Sequence, residues 1–218
     1  MDNNSLKSKA TKGVLWNIIE SFSVQSVQFA INIILARILM PSDFGLIGML
    51  TIFIAISQTF IDSGMGSALV QKVNRTDTDF STVFVFNFAV STGIYFILFF
   101  SAPLIANFYA IPQLTELTRV LTLTIIINSL AVVQTSRLMI NIDFKTSAKA
   151  NVVSVIGSGV IAIILAYSGF GVWTLVFQNL ARALLSVIML WYLSRWKPSL
   201  IFSKRSFKAL FGFGSKLL

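Results

Sequence analysis

From Gly13 to Met40 the chain reads GVLWNIIESFSVQSVQFAINIILARILM. The run is long and apolar enough to cross a bilayer as a tilted helix, yet Asn17, Glu20, Ser21, Gln25, Gln28 and Asn32 interrupt it. At about 100° per residue these side chains fall within an arc of about 140°, and the rest of the circumference is almost wholly apolar. A stripe of carboxylate and amides along a spanning helix cannot face lipid cheaply, so it must face other helices or a wet cavity. Two readings stand. The amides join helices by hydrogen bonds, or they form one wall of a transport cavity. The stripe runs most of the helix length, which favours the cavity.

The other apolar runs are also about 20 residues long and do not alternate, the pattern of spanning helices and not of a barrel. Only 11% of residues are charged, against about 25% in soluble domains, and mean hydropathy is +0.82. The expected fold is all-α: a polytopic transmembrane helix bundle. The chain has no cysteine and no histidine. That removes disulfides, thiolate metal sites and the usual general base. No catalytic residue, metal or cofactor is expected. The first apolar run is too long for a cleavable signal peptide and lacks a small-residue cleavage site.

The apolar runs predict spans over 13–39, 44–66, 80–102, 115–136, 151–168 and 172–193. Residues 1–12 form a polar lead-in and 13–193 a six-span lobe. A basic linker follows over 194–208, and 209–218 reads as the start of a seventh span that is cut short. Turns are expected at Pro41-Ser42-Asp43, around Pro103 and Pro112, and at Ser168-Gly169-Phe170-Gly171. The net charge of +9 lies in short connections, so it is read as topology and not as a nucleic-acid surface. The segments 1–12, 67–79, 137–150 and 194–218 hold three, two, three and six of the 17 lysines and arginines. With six spans all four lie on one side, which places the N-terminus in the cytoplasm.

In span six, Gln178, Asn179, Arg182 and Ser186 fall on one helical face. A guanidinium near mid-span is costly in hydrocarbon, so Arg182 must face protein or water. It is either paired with a carboxylate, Glu20 or Asp62, or it meets an anionic substrate. Glu20 and Arg182 differ in depth by about four residues, near 6 Å, within reach of long side chains. Thr51, Gln58 and Asp62 share a face of span two. The substrate-contact candidates are therefore Asn17, Glu20, Gln25, Gln28, Asn32, Gln58, Gln178, Asn179 and Arg182. Arg37, Pro41, Asp43 and Gly45 shape the first turn, with an ion pair expected between Arg37 and Asp43. Gly64 and Gly66 do not make a phosphate loop, since the lysine-bearing pattern and its strand are missing. Trp16, Trp173, Trp191, Trp196 and Tyr192 lie close to span ends and read as an interfacial belt. The Phe-rich third span is expected to meet lipid or neighbouring helices.

Leu35-Ala36-Arg37-Ile38-Leu39-Met40-Pro41-Ser42-Asp43-Phe44-Gly45-Leu46 resembles the first-turn signature of bacterial polysaccharide exporters, the branch that includes O-antigen and colanic acid flippases. Gly64-Met65-Gly66-Ser67-Ala68-Leu69-Val70-Gln71, Asp143-Phe144-Lys145, Arg195-Trp196-Lys197-Pro198-Ser199, Phe202-Ser203 and Phe211-Gly212-Phe213-Gly214 resemble later stretches of the same family. The resemblance implies a two-lobed transporter in the bacterial cytoplasmic membrane. It would move undecaprenyl-pyrophosphate-linked oligosaccharide, among membrane lipids, to the outer leaflet. This chain would be its N-terminal lobe, with the C-terminal half missing. The family has no universal catalytic set to carry over. The alternatives are a cation-coupled multidrug exporter of the same superfamily and a membrane glycosyltransferase. An apolar, aromatic cavity would favour drugs, whereas Asn17, Gln25, Gln28, Asn32, Gln178 and Asn179 favour sugar.

The topology is testable because no native thiol interferes. Single cysteines at Asn107 and Ser168 should react with an impermeant maleimide from outside the cell, and one at Ser5 only from the cytoplasm. External labelling at Ser5 would overturn the assignment.

Overall fold

The computed structural model describes residues 3–62, 65–194, 196–199 and 201–214. Side chains are described from Leu15, except at Phe60, Asp62 and 213–214. The expectations resting on the Asp62 side chain and on Gly64 fall outside these residues. In chain order the helices are α1 (Asn3–Ala36), α2 (Pro41–Asp62), α3 (Met65–Gln71), α4 (Asp77–Phe108) and α5 (Leu114–Leu121). They continue with α6 (Leu123–Ser129), α7 (Val132–Ile140), α8 (Phe144–Tyr167), α9 (Trp173–Ser194) and α10 (Lys204–Gly214). Among the described residues six segments are long and apolar enough to cross a membrane: those in α1, α2, α4, α8 and α9, and the combined run Leu114–Ile140. The fold is an all-α polytopic bundle, the architecture that lets each spanning segment satisfy its own backbone in lipid.

The boundaries differ from the sequence reading for local reasons. Helix α2 opens with Pro41 in its first turn, and Asp43 Oδ2 accepts the Met40 N–H at 3.1 Å. A proline and a reaching carboxylate are both favoured there. Asp43 is thus engaged by its own helix start, and the expected pair with Arg37 is not formed among the described residues. Gly45 lies inside α2, not in the turn, and an added Cβ would meet nothing within 4 Å. Residues 65–71, read as the end of span two and the start of the next loop, form α3, whose buried Met65, Ala68 and Leu69 pack in one cluster with Val133 and Leu210. The fifth span begins at Phe144, capped by Asp143, so Lys145 and Lys149 are helical. Helix α10 likewise begins inside the segment read as linker.

Pro103 does not end a span. It lies inside α4, which runs on to Phe108. Proline leaves the carbonyl four residues earlier without its helical donor, and that carbonyl, of Phe99, accepts Arg119 Nε at 3.4 Å. The Arg119 guanidinium also lies 4.5 Å from the Phe99 ring centroid. One side chain thus compensates the proline from a neighbouring helix.

The fourth span is broken into α5, α6 and α7. Thr118, Thr122, Thr124 and Ser129 each donate a hydroxyl to a carbonyl three or four residues back, at 2.6–2.7 Å. Such bonds compete with the helical ladder and bend it. At the second break the Leu130 carbonyl accepts Trp191 Nε1 at 2.9 Å. Trp191, near the end of its span, is half-buried and packs edge-on to Phe84 of α4. Trp196 is likewise half-buried. It lies edge-on to Phe80, with Arg137 5.3 Å from its ring.

The spans pack closely where residues are small. Ser154, Ser158, Gly159, Ala162 and Ala166 are buried on α8. A Cβ at Gly159 would fall 2.2 Å from Ile31 Cδ1, and one at Gly157 would fall 2.7 Å from Leu185 Cδ1. This contact joins α1 to α8 and α8 to α9, as small residues do between membrane helices. The Ser168–Gly171 turn between α8 and α9 uses Gly169 at φ 80° and Gly171 at φ 53°, values that glycine tolerates without strain.

Gly159→Val should lower thermal stability in detergent by about 1–3 kcal/mol, the cost of overpacking. Adding Ile31→Ala should recover much of the loss, because it vacates the same space. Equal stability of wild type and Gly159→Val would show that α1 and α8 are not in this contact.

Candidate functional site

The breaks in the fourth span place Asn128 between two cavities. A cavity of about 340 Å³ lies between α2, α6 and α9, with Thr51, Thr124, Asn128, Asn179, Arg182 and Ser186 on its walls. A larger one, about 680 Å³, lies between α3, α7, α8 and α9, and its polar lining includes Gln71, Thr135, Ser136, Ser147 and Asn151. Asn128 and Ser186 line both. The two cavities meet at these residues, and hydroxyl and amide groups alternate with apolar side chains along both.

Arg182 is half-buried, and its Nη1 donates to Gln28 Oε1 on α1 at 3.0 Å. Gln28 Nε2 in turn donates to Asn32 Oδ1 at 3.0 Å. Among the described residues Arg182 has no carboxylate partner; the ion pairs are Lys72–Asp79 and Arg137–Asp77. An arginine at mid-span costs about 2.5–3.5 kcal/mol even by the lenient measure. Here amide dipoles and the polar groups of the cavity wall offset that cost. Asn179 Nδ2 donates to the Leu175 carbonyl at 2.8 Å. Thr51 donates its hydroxyl to the Ile47 carbonyl at 2.8 Å. Their side-chain oxygens keep lone pairs for a further donor.

The other sequence candidates are distributed unevenly. Glu20 does not meet Arg182. Its Oε1 accepts from Asn151 Nδ2 on α8, because α1 lies along α8 and carries Glu20 to that helix. Asn17, Gln25 and Asn32 are exposed on α1. Gln178 is buried and lines neither cavity, and Gln58 is half-buried on α2 and also lines neither. The stripe on α1 therefore touches the cavity walls at two points, Gln28 on Arg182 and Glu20 on Asn151, while Asn17, Gln25 and Asn32 stay exposed. Thr124, Asn128, Thr135 and Asn151 were not singled out from sequence. A polar residue at one position of an apolar helix is the only local signal, and it does not say which face the breaks will turn inward.

The family described as polysaccharide biosynthesis protein matches residues 34–218. The succinoglycan biosynthesis transport protein ExoT of Rhizobium meliloti is 30% identical over 94% of this chain and 42% of its own length. The teichuronic acid biosynthesis protein TuaB of Bacillus subtilis is 27% identical over 97% of this chain and 44% of its own. The lipopolysaccharide biosynthesis protein WzxC of Escherichia coli is 24% identical over 56% of this chain and 25% of its own. The chain thus spans less than half the length of these relatives. No solved structure matches it.

The cavity should be wet. In the cysteine-free background, cysteines at Thr51, Asn128 and Ser186 should react with a small water-soluble thiosulfonate in intact membranes. Cysteines at Phe100 and Ile188, exposed on outer faces, should not. Protection of all three cavity positions would mean that the cavity is closed to water.

Proposed function

The chain belongs to the polysaccharide biosynthesis protein family, and on that premise we propose that it forms one lobe of an exporter of lipid-linked oligosaccharide for surface polysaccharide assembly. The observation that carries the reading is Arg182, a membrane-embedded guanidinium held by an amide and, among the described residues, not by a carboxylate. A guanidinium offers five donors in a planar fork that suits phosphate oxygens. Pyrophosphate on an undecaprenyl carrier is an anion that must cross a region of low dielectric, and a fixed cation lowers that barrier. Thr51, Asn128, Asn179 and Ser186 around it supply the donors and acceptors that sugar hydroxyls need. Glu20 is engaged by Asn151, so the group that yields Arg182 to substrate is Gln28.

The lining also separates this reading from its rivals. Side chains with hydroxyl and amide groups share the cavity wall with Arg182, and among the described residues no aromatic side chain lines it; a drug cavity tends to be apolar and aromatic. The word transport in the description of the relative ExoT favours an exporter over a glycosyltransferase. In the proposed arrangement the lobe lies in the bacterial cytoplasmic membrane, with its N-terminus and basic loops in the cytoplasm. A second lobe completes the cavity against the open side of α1 and α2.

In the whole transporter, Arg182→Ala should abolish export of polysaccharide to the cell surface, and Arg182→Lys should retain part of it. Gln28→Leu should leave the cation less well held and reduce export severalfold. Wild-type export by Arg182→Ala at normal protein level would make Arg182 structural only and end the pyrophosphate role.

A further inference from the structure

On the other side of α8 and α9 lies a groove of about 510 Å³, bounded also by α1. Its walls are nearly all apolar: Ile19, Val152, Val153 and Met189 among them. It begins near Trp16 and extends along α1 to Ser23, about 10 Å at 1.5 Å per residue. That depth fits within one leaflet of a hydrocarbon core about 30 Å thick. Its mouth is different in chemistry. Lys149 lines it, and Lys145 Nζ lies 5.7 Å from the Trp16 ring centroid. Both lysines are exposed, and neither has a carboxylate partner among the described residues. The one acid in the groove, Glu20, is bonded to Asn151.

We propose that this groove is a seat for an anionic phospholipid of the bilayer, one acyl chain lying between α1, α8 and α9 and the headgroup phosphate meeting Lys145 and Lys149. The juxtaposition suits such a lipid on three counts. The groove is within a segment that spans the membrane, so hydrocarbon is its surrounding medium. Its height is that of part of one leaflet and not of a carrier chain that must follow a sugar across. The two cations stand at the end where a headgroup lies, and lysines near the surface attract anionic lipid, each by about fivefold in affinity. Trp16 supplies the amphipathic ring that interfacial sites favour.

Acyl-brominated lipids quench tryptophan on contact, and the Trp16 contribution is obtained by difference from Trp16→Phe. In nanodiscs of phosphatidylcholine, brominated phosphatidylglycerol should quench Trp16 at mole fractions about tenfold or more below those of brominated phosphatidylcholine. Lys145→Gln with Lys149→Gln should bring the two lipids level, while circular dichroism stays that of wild type. Equal quenching by the two lipids in wild type would overturn the proposal, as would a preference that survives the double variant. Displacement of brominated phosphatidylglycerol by an equimolar polyprenyl phosphate would also overturn it, since the occupant would then be a carrier lipid.

Discussion

Hydrocarbon offers a polar group no partner, and the arrangement around Arg182 follows from that constraint. The guanidinium needs donors accepted and charge solvated at a depth where water is scarce. Gln28 from α1 accepts from it, and Asn32 accepts from Gln28 in turn. The cavity wall adds hydroxyls and amides from α2, α6 and α9 beside the apolar Ile47, Ile54, Leu121 and Ala183. No carboxylate meets it among the described residues. A neutralised arginine would knit helices together. An unneutralised one would attract an anion, the role proposed for Arg182 on the strength of its bond to Gln28.

The cavity exists because the fourth span is not a single rod. Four hydroxyl groups bond back to their own helix carbonyls and divide the span into three short helices. Each break frees backbone groups that must find partners in the bundle, and Trp191 supplies one of them. The break between α6 and α7 follows closely on Asn128, which lines both cavities. Pro103 shows the opposite outcome for the same problem. There the carbonyl left without a donor is served by Arg119, and α4 continues.

Packing then decides which faces are inside. Gly159 lets α1 approach α8 through Ile31, and Gly157 lets α9 approach through Leu185. These contacts hold α1 at the side of the bundle. Only 11% of its spanning window is buried, as for α2, against 39% for α8 and α9. Asn17, Gln25 and Asn32 consequently lie exposed. Such amides would be costly against lipid, which is why an open polar side on α1 is better suited to a cavity or a second lobe than to hydrocarbon.

Length and hydropathy in the sequence determined the all-α bundle, the number of spanning segments and the need for Arg182 and the amide stripe to avoid lipid. Those follow from the solvent alone: an apolar run of sufficient length must cross the bilayer, and a charge within it must turn inward. Periodicity placed Asn179, Arg182 and Ser186 on one face. It put Gln178 there too, but the structure buries Gln178 elsewhere. Partners were beyond its reach. Depth allowed Glu20 to meet Arg182, yet the small residues on α8 draw α1 alongside, and Glu20 meets Asn151 while Gln28 reaches Arg182. The breaks at Thr122 and Leu130 were equally hidden, because a threonine hydroxyl bends a helix only where the surrounding bundle accepts the carbonyls it frees. A wheel assumes a straight helix and knows one helix at a time. The cavity is made by bends and by which helix stands beside which, and only the tertiary structure decides those.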